Sequence, residues 1–160
     1  MTDAYLKNVL GYDVSNSLST SSSIKALEMA VEYRKYKSEI LIHHFDRGYQ
    51  YCSNDYQEVL NKNGIKCSKT ESYNQYANDV AERINGILKQ EFIDDNNNLA
   101  LPIMKALISD SIKIYNHKRP HYSCYMKTPE MMHNKGKSKL ERIKTRIQST
   151  KPTGFYKLGF

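Results

Sequence analysis

Residues 40–53 read Ile-Leu-Ile-His-His-Phe-Asp-Arg-Gly-Tyr-Gln-Tyr-Cys-Ser: an apolar triplet, two histidines, and an acid four residues after the triplet ends. Ile40 to Ile42 is a short apolar run, which predicts a buried strand that stops at His43-His44. Asp46 then stands just past a strand end, where side chains line the crevice at which ligands bind in α/β sheets. Gly48, two residues on, is expected to allow a backbone turn that other residues resist. Arg47 has two readings of equal weight, a contact to a polyanionic partner and a salt bridge to a neighbouring acid. His43 and His44 read as simple hydrogen-bonding residues.

Working downstream, Ser53 to Asn63 predicts a helix, capped at Ser53 or Asn54 and ended by Gly64. Ile65 to Ser68 predicts a second short strand. Asn74 to Phe92 carries a long helical pattern, with Val80, Ile84, Ile87, Leu88 and Glu91 near one side. The run 94–98 is a polar loop. Leu99 to Tyr115 predicts another helix, with Ile103, Leu107, Ile108, Ile112 and Tyr115 on its apolar side and Pro102 in its first turn. Residues 119–130, RPHYSCYMKTPE, read as irregular, with the RPH motif (Arg119, Pro120, His121) as a structural turn. The segment 134–151 is dense in Lys and Arg and reads as a basic tail, either a solvated face or a phosphate-contacting arm.

Upstream, the Ser/Thr cluster offers N-caps for a helix from about Ser21 to Tyr36. Tyr5-Leu6, Lys7-Asn8 and Val9-Leu10 predict the end of one strand, a tight turn and a second strand. The element order is strand, strand, helix, strand, helix, strand, helix, helix, which gives an α/β fold.

The chain has 160 residues, suited to one domain. Its formal net charge of +7 favours a polyanionic partner, with a basic protein lacking such a partner as the even alternative. Three widely spaced cysteines (Cys52, Cys67, Cys124) argue against a disulfide framework and suit a reducing compartment. No apolar stretch is long enough to span a membrane. With no signal-peptide pattern, a cytoplasmic location is the expectation. The 13 tyrosines read first as half-buried packing residues and second as stacking surfaces for unpaired bases.

Two acids stand out, Asp46 after the strand and Glu82 within the long helix. A fixed carboxylate pair can hold a divalent metal, and such ions serve in-line phosphoryl displacement. Asn85 and Lys89 are four apart and share a helix face near Glu82, so that face can present amide and ammonium groups to a phosphate backbone.

The motifs HHFDRGYQYCS (43–53), GIKCS (64–68), NDVAERINGILKQEF (78–92), YNHKRPH (115–121) and TPEMMH (128–133) occur in an order that resembles the second half of a DDE transposase. The branch is that of insertion-sequence transposases with a core similar to retroviral integrase. Residues 47–81, 35 in number, separate Asp46 from Glu82, the family's spacing between its second and third catalytic acids. The resemblance implies an RNase H-like mixed sheet with flanking helices, its first strand missing here. It assigns Asp46 and Glu82 as catalytic metal ligands, Mg²⁺ or Mn²⁺ as cofactor, and transposon ends and target DNA as partners of a multimer. It places the partial core at 1–133 and the basic tail at 134–160, and puts the first catalytic aspartate before Met1, because Asp3 and Asp13 align to non-catalytic positions. The chain alone is then expected to show little or no strand transfer. The alternative is a non-catalytic DNA-binding remnant of a transposase gene. Phe45 departs from the small polar residue usual before the second acid, and Ala77 and Asp79 depart before the third. Phe45 is expected to pack.

Overall fold

The computed structural model describes residues 1–34, 39–45, 48–69, 75–93 and 99–134. The expected order of helices and strands is present from the first helix on, but the two expected N-terminal strands are reduced to an isolated bridge. Helix α1 spans Thr20–Glu32, strand β1 Leu41–Phe45, helix α2 Asn54–Lys62 and strand β2 Ile65–Lys69. Helix α3 spans Gln75–Leu88, α4 Leu101–His117 and the short α5 Pro129–His133. The sheet among the described residues is the parallel pair β1–β2, with Leu41 opposite Ile65 and Phe45 opposite Lys69. Parallel strands cannot be joined by a tight turn, and α2 supplies the crossover.

Local chemistry sets the ends. Ser19 caps α1, Ser53 caps α2 and Thr128 caps α5, each accepting from a backbone N–H of the first turn. Gly64, at φ +61°, ends the α2 turn in the left-handed region that glycine tolerates without strain. Helix α1 stops at Glu32, short of the expected Tyr36, which lies outside the described residues together with the 94–98 loop and the tail from 135. Strand β1 runs through both histidines to Phe45 instead of stopping at them. It is also one-sided: Ile40 is 70% exposed and Ile42 54%, so the apolar triplet is not the buried strand its composition suggested. His43 and Phe45, with Ile65 and Cys67 paired alongside, supply the covered face.

Two apolar clusters hold these elements. Leu27 of α1, Phe45, Tyr56 and Leu60 of α2, and Ile65 of β2 form one. Val9, Ile84 and Leu88 of α3, and Ile112 and Tyr115 of α4 form the other. Ile103 is 56% exposed and stands outside the apolar side of α4 expected for it.

The N-terminal segment is a hairpin-like turn with an antiparallel bridge between Thr2 and Val9, closed by Asp3 N–H to Asn8 C=O at 2.8 Å and Leu10 N–H to Met1 C=O at 2.9 Å. Its tip lies at residues 4–6, earlier than the expected Lys7-Asn8. The Asp3 carboxylate is the reason: it accepts from the backbone N–H groups of both Tyr5 and Leu6, at 2.8 Å each. Gly11 brings this segment against α1, where any Cβ would run into the Ala26 carbonyl oxygen. The segment is then clamped to α4. Asn116, 7% exposed, accepts from Val9 N–H at 3.0 Å and donates to Val9 C=O at 2.9 Å. A side-chain amide thus pairs with Val9 as a neighbouring strand would.

Removing that amide leaves two buried backbone groups unpaired, each costing about 1–3 kcal/mol. Asn116→Ala is expected to lower unfolding free energy by roughly 2–4 kcal/mol in urea titrations. A change below about 0.5 kcal/mol, the level of an ordinary surface substitution, would rule out the clamp.

Acid sensitivity follows from the first cluster. His43 Nε2 is 2.8 Å from the Tyr56 hydroxyl. Burial, then the nearby Met1 ammonium and His44, push the His43 imidazole down to about 4. Between its ordinary value of 6.5 and about 4, the unfolded chain binds more protons at this site than the folded one. Stability is therefore fully present above pH 6.5 and is lost as pH falls towards 4. The loss expected for wild type between pH 7 and 5 is on the order of 2 kcal/mol, and His43→Gln should flatten it. An equal slope in the variant would show that His43 is not the sensor.

Candidate active site on helix α3 and the β1 edge

Helix α3 has two faces because its apolar residues recur every three or four positions. Ile84 and Leu88 are buried against α4 and the hairpin segment, with Val80 and Ile87 packed beside them. Glu82, Arg83, Asn85 and Lys89 are exposed. Glu82, Asn85 and Lys89, at helical spacings of three and four, form one solvent-facing row. The Glu82 carboxylate makes no hydrogen bond or ion pair with any other described residue. Helix α3 also packs against β1, the strand whose chain continues directly into Asp46. Asp46 and Arg47 themselves lie outside the described residues.

Phe45, just before Asp46, is buried and takes no part in the exposed edge. Its ring lies 5.4 Å from Tyr51 and 6.3 Å, edge-on, from Tyr56, so it packs as expected. Gly48 has φ −58°, a value open to any residue, so the turn after Asp46 does not draw on glycine's freedom. His43 is committed to Tyr56, in line with a hydrogen-bonding role. Asp3 is used by the N-terminal turn and Asp13 by the Ser22 hydroxyl, which holds its carboxyl below the usual range. Both early acids are thus structural.

Among the described residues, no group of three or more His, Cys, Asp and Glu side chains could hold a metal ion. The exposed Glu82 nevertheless offers a hard oxygen donor of the kind that Mg²⁺ and Mn²⁺ prefer, and Asp46 would supply a second of the same chemistry.

The structure also shows two features that the sequence did not expose. The last turn of the α3 segment, Lys89–Ile93, is a π-helix. From it Glu91, expected on the apolar side, reaches Arg119 of the RPH motif in a two-pronged pair, Nε–Oε2 3.0 Å and Nη2–Oε1 2.6 Å. The hydrogen bond to Arg119 holds the Glu91 carboxyl below its ordinary range. The pair is part-exposed, so it orients more than it stabilises, at about 0–1 kcal/mol. Asn116 is the second feature. A polar residue beside Tyr115 inside an apolar helix pattern was its available signal. The RPH turn itself is as expected: α4 ends at His117, and the His121 ring stands edge-on to Tyr115 at 4.9 Å.

A 33% identity over 129 residues links the chain to a Mycobacterium tuberculosis protein assigned as a transposase for insertion sequence element IS986/IS6110, covering 78% of this chain and 46% of that protein. Transposase InsF for insertion sequence IS3A of Escherichia coli is 32% identical, covering 83% and 46%. The chain thus spans about half the length of these curated relatives. Among solved structures, the HTLV-2 integrase catalytic core domain in complex with magnesium superimposes with TM-score 0.56 at 21% identity, covering 78% of this chain and 76% of that one. The catalytic core domain of BIV integrase gives 0.59 at 18%, covering 85% and 80%. These likenesses establish the RNase H-like integrase-core fold. Two models described as integrase core domain match residues 1–75 and 63–129. Taken with the two-faced α3 against β1, they show that the chain belongs to the integrase core family that includes the insertion-sequence transposases.

Proposed function

We propose that this chain serves DNA transposition, as the part of a DDE transposase core that contributes the second and third catalytic carboxylates. The observation that carries this is the exposed row Glu82, Asn85, Lys89 on a helix packed against the strand that leads into Asp46. Asp46 and Glu82 would hold Mg²⁺ or Mn²⁺. A bound divalent ion supplies charge stabilisation to the attacking and leaving oxygens of an in-line phosphoryl transfer. Lys89 contacts a phosphate as a point charge, and Asn85 adds amide hydrogen bonds beside the acid. Arg47 either extends this contact or pairs with an acid.

In the reaction so assigned, water first attacks a phosphodiester at a transposon end and a 3′-hydroxyl leaves. That hydroxyl then attacks a phosphodiester of the target DNA: a new P–O bond forms, and the target's own 3′ oxygen departs. No protein–DNA covalent bond is needed, so the protein's work is positioning and charge. The net charge of +7 suits both DNA substrates. Assembly into a multimer is part of the proposal, since the HTLV-2 integrase core is described in trimeric and dimeric forms. The basic segment 134–160 would serve as a phosphate-contacting arm.

A Mn²⁺ titration tests the metal assignment. Binding is expected in the wild-type chain, and Asp46→Asn and Glu82→Gln should each weaken it by roughly tenfold or more. Unchanged affinity in both variants would remove the two acids from the site. On its own the chain is expected to join DNA poorly, because two carboxylates leave one ion under-coordinated. Efficient metal-dependent joining that disappears in Glu82→Gln would overturn that expectation.

A further inference from the structure

Among the described residues, the non-glycine positions with left-handed backbone are Lys7 (φ 63°), Tyr125 (φ 55°) and Met126 (φ 58°). This conformation is costly for an L-residue, and such strain tends to persist where function uses it. All three positions fall on two segments that touch. One is the N-terminal turn from Asp3 to Lys7. The other is the loop from His121 to Lys127, closed by an antiparallel bridge between its ends. Cys124, 1% exposed, donates from Sγ to the Leu6 carbonyl at 3.5 Å, and Leu6, Cys124 and Met132 form an apolar cluster beneath.

The anchor is buried, but the tips are not. Tyr122 is 92% exposed, Tyr125 71%, Met126 65% and Tyr5 64%. The loop's own hydrogen bonds, Met126 N–H to His121 C=O at 2.9 Å and Lys127 N–H to Cys124 C=O at 3.1 Å, close the turn, but nothing in them requires the tyrosine rings to stand in water. The surroundings are basic. Residues 118–127 include no acid and, besides Arg119, whose charge Glu91 already meets, carry Lys118 and Lys127. The nearby carboxylates are already engaged: Asp3 by two backbone N–H groups, and Glu130 by Tyr33, Asn8 and Asn134.

We propose that Tyr5, Tyr122 and Tyr125, with Met126, form a stacking platform for unpaired nucleobases, and that Lys118 and Lys127 hold the adjoining phosphates. The reason is chemical. Every base has an open π-face in a single strand, whereas a duplex covers those faces with its own neighbours. Cations without free acids around exposed rings favour a polyanion over a protein face. The inference rests on the DNA reading above and adds to it a surface that the two carboxylates do not use.

The test is fluorescence anisotropy of the full chain with a labelled oligothymidylate and with a duplex of equal length, in metal-free buffer across a salt series. The single strand is expected to bind more tightly. Tyr122→Ala and Tyr125→Gly should each weaken it roughly tenfold. Tyr122→Phe, which keeps the ring, should bind as wild type does. Tyr125→Gly suits the left-handed backbone, so the fold is retained in that variant. Lys127→Ala should reduce the slope of log affinity against log salt by about one. Wild-type binding that both tyrosine variants leave unchanged would overturn the platform while leaving the DNA reading intact. Loss of self-association in those variants, with DNA binding unaltered, would overturn it in favour of a contact between copies. A wild-type chain that binds neither oligonucleotide would remove the DNA reading and the platform together.

Discussion

The pairing of the Asn116 amide with both backbone groups of Val9 is the constraint on which the arrangement of the second core cluster depends. The N-terminal segment's own hydrogen bonds close its turn but do not by themselves place it on α4. Asn116 fixes it on α4, and Val9 then completes the apolar surface that receives Ile84 and Leu88. Because α3 buries those two residues, Glu82 must face the opposite way. The direction of an exposed acid thus traces to a buried amide on another helix.

A second constraint acts at the far end of α3. The π-turn at Lys89–Ile93 adds residues to the last turn and changes which way they point. Glu91 leaves the apolar side and meets Arg119, tying the end of α3 to the turn after α4. Pro120 prevents α4 from continuing through that turn, which leaves Arg119 free of helical backbone and able to reach across. His121 then returns to cover Tyr115. The motif YNHKRPH therefore acts through four different contacts: Tyr115 in the core, Asn116 on the hairpin segment, Arg119 on α3 and His121 on Tyr115. Catalytic chemistry is not required of any of them. Their common effect is to set α3, and with it Glu82, relative to the rest of the fold.

Much of the fold was legible because it rests on local rules. Ser53 and Gly64 bound α2 through capping and left-handed backbone, and the spacing of Val80, Ile84, Ile87 and Leu88 gave α3 its inner face. The resemblance in the motifs around Asp46 and Glu82 led to the integrase-core family, and Glu82, Asn85 and Lys89 are all exposed, as a shared outer face requires. Less legible was anything that depended on which neighbour arrives. Ile40 and Ile42 look like core residues by composition, yet stand exposed because the covered face of β1 is built by His43 and Phe45. Gly48 looked like a forced turn, but its backbone is ordinary.

What the sequence determined by itself is the order of helices and strands from α1 to α4 and the caps of α2, since each follows from residues within a few positions of one another. The tertiary structure alone decided that Asn116 substitutes for a strand partner and that Glu91 turns outward to Arg119. The physical reason is the same in each case: a polar group's partner is chosen by what packing brings within hydrogen-bonding reach. Val9 lies 107 positions from Asn116, and Glu91 lies 28 from Arg119. No local pattern encodes such distances.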